Sequence, residues 1–199
     1  MIIFDEAQMI PLPYLRACVA AITELILHYH VSAVLCTATQ PSLNRLFAEY
    51  APNLRIREIC QNPNFMYEFF RRVRYVNNGK LTERELADKL STAEQVLCIV
   101  NTRKEAQKLF SMLPSEGAYH LSTYMTPRHR RTVLSQIREK LKSGNTCRVI
   151  STSLIEAGVD VDFPEVWREI AGIDSIIQAG GRCNREGKRN PATSIVHVF

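Results

Sequence analysis

VLCIVNTRKEAQKLFSML, residues 96–113, is the stretch whose reading decides the fold. Its first five residues form a continuous apolar run, the pattern of a strand buried on both faces. Asn101 stops the run. Thr102 and Glu105 then make a capping box, and Ala106, Leu109, Phe110 and Leu113 recur at helical spacing, so a helix opens within two residues of the strand's end. A buried strand feeding a helix that packs back onto it is the repeating unit of a parallel α/β sheet.

The alternation continues on both sides. Downstream, residues 118–121 read as a strand, and Thr126 as N-cap with Pro127 at the first helical position opens a helix that points Val133, Leu134, Ile137 and Leu141 inward. A strand at 148–151 follows, then a strand at 165–170, a helix at 175–182 and a last strand at 194–199. Upstream, Thr82 and Glu85 cap a helix reaching about Ser91. Nearest the start, a strand at 1–4, a helix with Leu15, Val19, Ile22, Leu25, Ile26 and Tyr29 on one face, and a strand at 32–36 make a strand-helix-strand crossover. A short helix from Pro41 to about Tyr50 leads into an irregular stretch with Pro52, Pro63 and several asparagines, and then to Arg71, Arg72 and Arg74. The expected architecture is α/β, with parallel sheets flanked by helices: a partial domain at 1–62, a linker at 63–80 and a complete domain at 81–199.

Composition narrows the setting. With 199 residues and 46% hydrophobic content the chain can bury one good core, or one complete and one partial domain. A net charge of +5 is compatible with a polyanionic partner without requiring one. The six cysteines are far apart and form no CxxC pair, which suits buried free thiols in a reducing cytoplasm. Apolar runs are too short to span a bilayer, so no membrane association is expected.

Parallel sheets bind ligands at the carboxyl ends of their strands, and Asp5, Thr37, Asn101 and Thr152 fall where strands are expected to stop. DEAQ (residues 5–8) brings two carboxylates suited to Mg²⁺ and water; a solvated acidic turn is the plain alternative. QAGGRCNREG (178–187) brings Arg182 and Arg185, three residues apart on one expected helical face, whose planar donors match phosphate oxygens. TSLIEAGVD (152–160) offers a hydroxyl, a glycine and an aspartate able to accept from a ribose hydroxyl, or is a plain loop. Arg128, His129, Arg130 and Arg131 open a helix, where they could hold backbone phosphate or form a solvated basic face. Arg71, Arg72 and Arg74 with Phe69, Phe70 and Tyr75 could stack on bases, or be a linker packed on a domain. Nucleotide hydrolysis needs a metal, a residue that orients water, and a cation for charge developing on the γ phosphate.

In this order IIFDEAQ, TAT, NTRKEA, STSLIEAGVDVDF and QAGGRCNREG resemble the helicase core of superfamily 2. DEAQ, EAGVDVDF and GRCNREG together resemble most closely the CRISPR-associated helicase-nuclease of type I systems. The resemblance implies a RecA-like P-loop NTPase architecture, with a partial first lobe and a complete second one, and ATP and Mg²⁺ as cofactors. It implies that Asp5 holds Mg²⁺, Glu6 orients or deprotonates water, Gln8 senses the nucleotide, and Thr37 and Thr39 couple hydrolysis to movement. From the second lobe, Asn101, Thr102 and Thr152 would touch phosphates of the tracked strand, Gly158 and Asp160 would face the nucleotide, and Gln178, Arg182 and Arg185 would close on the γ phosphate as catalytic groups. The implied activity is ATP-driven 3′ to 5′ movement of a monomer on single-stranded DNA, recruited by an RNA-guided surveillance complex in antiviral defence.

The chain also departs from that pattern. No GxxxxGK[ST] phosphate loop is present, so the chain reads as the C-terminal part of a larger protein and is expected to be inactive alone. Ala179 stands where superfamily members often have arginine. The five histidines include no His-Asp pair, so no nuclease activity is expected, and His28 and His30, two apart, read as surface residues. Another RNA or DNA helicase of the superfamily, or a non-hydrolysing nucleic-acid or protein adaptor, are the alternative functions.

Overall fold

The computed structural model describes residues 1–37, 43–156 and 158–199. Thr39 and the expected helix start at Pro41 lie outside the described residues. The chain forms two compact units, Met1–Asn64 and Phe65–Phe199.

In the first unit, β1 (Ile2–Phe4) and β2 (Ala33–Leu35) pair in parallel, Ile2 opposite Ala33, and α1 (Leu12–Tyr29) makes the crossover between them. Val19 and Ile22 of α1 meet Leu43 and Phe47, the latter from α2 (Asn44–Tyr50). Tyr29, expected inward, is exposed, as is Leu12 at the other end. An 18-residue helix is about 27 Å long and a three-residue strand about 10 Å. Both ends of α1 therefore overhang the strands that cover its middle. His30 ends the helix in the left-handed conformation (φ 53°), its amide on the Leu25 carbonyl.

The second unit is a six-stranded, fully parallel sheet. Its elements are α3 (Pro63–Phe69, begun at the end of the first unit), β3 (Arg74–Asn77), α4 (Glu83–Thr92), β4 (Gln95–Ile99), α5 (Arg103–Met112), β5 (Ala118–Leu121), α6 (Pro127–Lys142), β6 (Cys147–Ser151), β7 (Glu165–Arg168), α7 (Ile173–Gly180) and β8 (Ile195–Val198). The strand order is β3-β8-β7-β4-β6-β5. Successive side chains of β4 enter opposite cores: Leu97 and Ile99 join Leu121, Ile137, Val149, Phe163 and Val166, whereas Val96 and Cys98 join Leu86, Leu90, Leu109, Ile150 and Trp167. Both faces of the sheet are thus covered, as its continuous apolar strands require.

The caps anticipated from the sequence are formed. Thr82 and Glu85 make a reciprocal capping box on α4, and the Thr102 and Thr126 hydroxyls accept from the amides of Glu105 and His129. Two stretches differ from expectation. The stretch 63–80, expected as a linker, contains α3 and β3, and β3 pairs with β8, Arg74 opposite Ile195. As an edge strand with only Val76 half-buried, Arg-Tyr-Val-Asn carries no apolar run. The helix expected at 175–182 ends at Gly180, so Arg182 and Arg185 lie beyond it in a turn. All six cysteines are free, and burial pushes the Cys147 and Cys183 thiols up to about 12, which makes them inert at neutral pH. Among the described residues no helix is long and apolar enough to cross a membrane.

Candidate functional site

At the carboxyl end of β1 the chain turns sharply. The Asp5 carboxylate accepts from the Glu6 amide at 3.0 Å, Glu6 is left-handed (φ 52°), and buried Ala7 donates its amide to the Cys36 carbonyl at 3.0 Å. Gln8 then bridges the two strands: its Nε2 donates to the Glu6 carboxylate and its Oε1 accepts from the Thr37 hydroxyl. The turn after β1 is thereby tied to Thr37, two residues past β2. Asp5 and Glu6 remain exposed. Among the described residues no cluster of three or more metal-ligating side chains exists. Mg²⁺ does not require one, because it keeps several waters and commonly takes one or two carboxylates together with substrate phosphates. Exposed Asp5 fits that arrangement.

In the second unit the site is built around two buried arginines. Arg168 ends β7 with 2% of its surface exposed. Its Nη1 donates to Asn101 Oδ1 and to the Glu169 carbonyl, both at 2.8 Å. Its Nε meets Glu156 Oε1 at 3.0 Å as an ion pair without the alignment of a hydrogen bond. Burial raises the pKa of Glu156, and the Arg168 charge opposes that rise. Asn101 is held further by its amide on Glu169 Oε2 (2.6 Å) and its Nδ2 on the Ile170 carbonyl (2.9 Å). Arg182, also buried, donates Nε to the Ile155 carbonyl at 2.9 Å and Nη2 to the Glu156 carbonyl. Two guanidinium groups therefore hold Ile155 and Glu156, just before Gly158.

Arg185 is placed differently. Its amide donates to Asp162 Oδ1 (2.7 Å), its Nε pairs with Asp160 Oδ1 (2.8 Å), and its side chain is 43% exposed. The separation of the two arginines corrects the expectation that they share a helical face. Gly181 caps α7, and Asn184 then takes a left-handed conformation (φ 44°) that turns the chain. Asn184 is fully buried. Its Nδ2 donates to the carbonyls of Arg72 and Arg189, and its Oδ1 accepts from the Arg189 amide, each at 2.9 Å. Arg189 pairs with Asp162 Oδ2 at 2.6 Å.

The remaining candidates are scattered in character. Gly158 has a positive φ of 66° and open space where a Cβ would project. Asp160 is exposed and faces Arg185. Gln178 is half-buried on α7. Thr102 caps α5 and its hydroxyl donates to Glu105 Oε2 at 2.6 Å; Thr152 is buried; Arg128 is exposed in the first turn of α6. Arg168, Glu156, Asp162 and Asn184 organise the site and were not singled out from the sequence. Arg168 carried a readable signal, a charge closing the apolar run of β7, and so did Asn184, since asparagine tolerates left-handed turns.

Residues 92–188 match the family model described as CRISPR-associated nuclease/helicase Cas3, C-terminal. This stretch, just under half of the chain, is therefore similar to the C-terminal part of Cas3 nuclease/helicases. A Cas3 nuclease/helicase of Haloferax volcanii is 49% identical over 69 residues, 33% of this chain and 7% of the relative. One of Methanothermobacter thermautotrophicus is 27% identical over 175 residues, 81% of this chain and 21% of the relative. The chain thus spans about a fifth or less of these two curated relatives. Among solved structures, T. fusca Cas3 with ATP superposes with a TM-score of 0.69 at 20% identity, covering 99% of this chain and 29% of that one. A chain of a CRISPR RNA-guided surveillance complex before nicking superposes at 0.66, with 20% identity, covering 99% and 31%. These likenesses show the fold alone, a RecA-like α/β arrangement with a parallel sheet flanked by helices.

Proposed function

We propose that the chain is part of an ATP-driven single-stranded DNA translocase of CRISPR type I interference, working with a phosphate loop outside these 199 residues. On this reading residues 1–62 belong to the first motor lobe and 81–199 form the second. The observation that carries it is the attachment of the GRCNREG turn to the EAGVD loop, through Arg182 on the Ile155 and Glu156 carbonyls and Arg185 on Asp160. Hydrolysis that draws on an arginine needs a loop that is held and a cation that can reach the γ phosphate, and the two arginines divide these roles.

Arg182 is the holder. Withdrawing a buried guanidinium from its carbonyl partners leaves charged and polar groups unsatisfied, on the order of 1–3 kcal/mol for each. Arg185 is the cation free to move. An exposed ion pair such as Arg185 with Asp160 contributes only about 0–1 kcal/mol, so exchanging the Asp160 carboxylate for a γ phosphate is cheap. Asp5 would hold Mg²⁺, which supplies charge neutralisation between the β and γ phosphates when bound. Glu6 would orient or deprotonate the attacking water. Gln8, bonded to both Glu6 and Thr37, would report nucleotide state to the end of β2. Thr39 is proposed as a further coupling residue. Gly158, Asp160 and Gln178 would face the nucleotide, and Asn101, Thr102, Arg128 and Thr152 the tracked strand.

Two structural relatives extend the proposal. ATP accompanies T. fusca Cas3, and a surveillance complex contains another similar chain. We assign both as nucleotide and recruiting partner of this protein, in the cytoplasm, with the motor acting as a monomer. The test is ATP hydrolysis by the motor that joins this chain to a phosphate loop, with single-stranded DNA, duplex DNA or RNA added. Stimulation by single-stranded DNA above the others supports the reading. Stimulation by RNA alone makes it another superfamily 2 helicase, and no hydrolysis makes it an adaptor.

A further inference from the structure

Of the four residues proposed to face the tracked strand, three have side chains that are bonded within this unit or buried, which leaves room for a further contact. The Asn101 carboxamide is bonded at both ends, the Thr102 hydroxyl serves Glu105, and Thr152 is buried. Strands β4, β6 and β5 are consecutive and parallel, so the loops leaving their carboxyl ends form a row. At about 4.8 Å per strand, the β4 and β5 loops lie roughly 10 Å apart. Arg103, the first residue of α5, crosses that gap: its Nη1 donates to Thr123 Oγ1 at 3.4 Å, and its guanidinium lies 4.0 Å from the centre of the Tyr124 ring. Tyr124 is 76% exposed. Its ring thus keeps a large aromatic area in water with a guanidinium beside it.

We infer that Tyr124, backed by Arg103, is a base-stacking platform at the β5 end of the single-stranded DNA track. This rests on the proposed reading of the second unit as the DNA-tracking lobe, and adds to it a residue and a mode of contact. Stacking is tolerant of sequence because every base has a π face, and an adjacent cation strengthens it. The arrangement suits a motor that must pass over any sequence. The exposed cations Arg103 and Arg128 on the same edge supply the phosphate attraction that brings the strand to the ring.

The experiment uses the 199-residue chain, a fluorescent thymidine oligonucleotide and an abasic oligonucleotide of the same length, with binding followed by anisotropy at several salt concentrations. Tyr124→Ala should weaken binding to the thymidine strand roughly 5- to 150-fold, the range for loss of one stacked base. Tyr124→Phe should bind within about twofold of the parent, since the ring face is kept. The parent should bind the abasic strand about as weakly as Tyr124→Ala does. The salt slope should be the same for parent and variant, because slope counts phosphate contacts. Near-parental binding by Tyr124→Ala, or a changed slope with no effect of removing the bases, overturns the platform and leaves the DNA-tracking reading standing. Failure of the parent to bind any single strand overturns both.

Discussion

Arg168→Met should destabilise the second unit by about 3–5 kcal/mol at pH 8, the cost of breaking a buried ion pair by removing one partner. Methionine occupies similar length but leaves Asn101 Oδ1 and the Glu169 carbonyl without their donor, and leaves the Glu156 side chain, only 6% exposed, without its countercharge. Against a typical domain stability of about 5–15 kcal/mol, that is a third or more of the total. The loss carries a pH signature. Burial already raises the pKa of Glu156 with Arg168 present, and without that charge it rises further. A carboxyl group whose folded pKa exceeds its unfolded value favours the folded state at low pH, and that contribution is lost as pH rises through the folded value. The gap between parent and variant should therefore narrow between pH 8 and pH 5. Adding Glu156→Gln removes the stranded charge and should recover much of the loss. Trp167, the chain's only tryptophan and 4% exposed beside Arg168, reports unfolding of this unit in urea by its fluorescence. A loss below about 1 kcal/mol, a pH-independent loss, or a double variant no better than the single one would refute the reasoning.

Asn184→Ala should cost on the order of 3–5 kcal/mol, combining buried backbone partners left unsatisfied with a left-handed conformation that alanine disfavours; urea unfolding followed at Trp167 measures it. Gly158→Ala meets no neighbour, so only backbone strain of about 1–2 kcal/mol is expected, read as a modest fall in thermal midpoint. The 199-residue chain alone should show no appreciable ATP hydrolysis, because it has no GxxxxGK[ST] sequence to grip the β and γ phosphates; a phosphate-release assay with and without single-stranded DNA checks this.

Most of the second unit was legible because its signals are local. The run at 96–100 and the Thr102 and Thr126 caps each depend on neighbours in sequence, and they formed as read. Strand β3 was not legible, since an edge strand has one hydrogen-bonding neighbour and needs little apolar content. The strand order was equally hidden, because pairing β7 between β4 and β8 is a property of distant segments. In the site, Asp5, Thr37 and Asn101 could be placed at strand ends from periodicity alone. The difference between Arg182 and Arg185 could not. It arises where α7 stops at glycine and buried Asn184 reverses the chain, sending one guanidinium inward to Ile155 and Glu156 and leaving the other at the surface with Asp160. Arg168 was missed because its partners, Asn101 and Glu156, come from two other loops.

The most direct test is the rate of single-stranded DNA-stimulated ATP hydrolysis by Arg185→Ala in the motor that joins this chain to a phosphate loop. A cation that closes on the γ phosphate acts in the transition state, where such arginines contribute about 10³–10⁵ in rate. Turnover should fall by that order with single-stranded DNA affinity nearly unchanged. Arg185→Lys should recover little, because lysine keeps the charge and loses the planar fork. Near-parental turnover by Arg185→Ala would contradict the account, leaving Arg185 a surface partner of Asp160 and the GRCNREG turn without a catalytic cation.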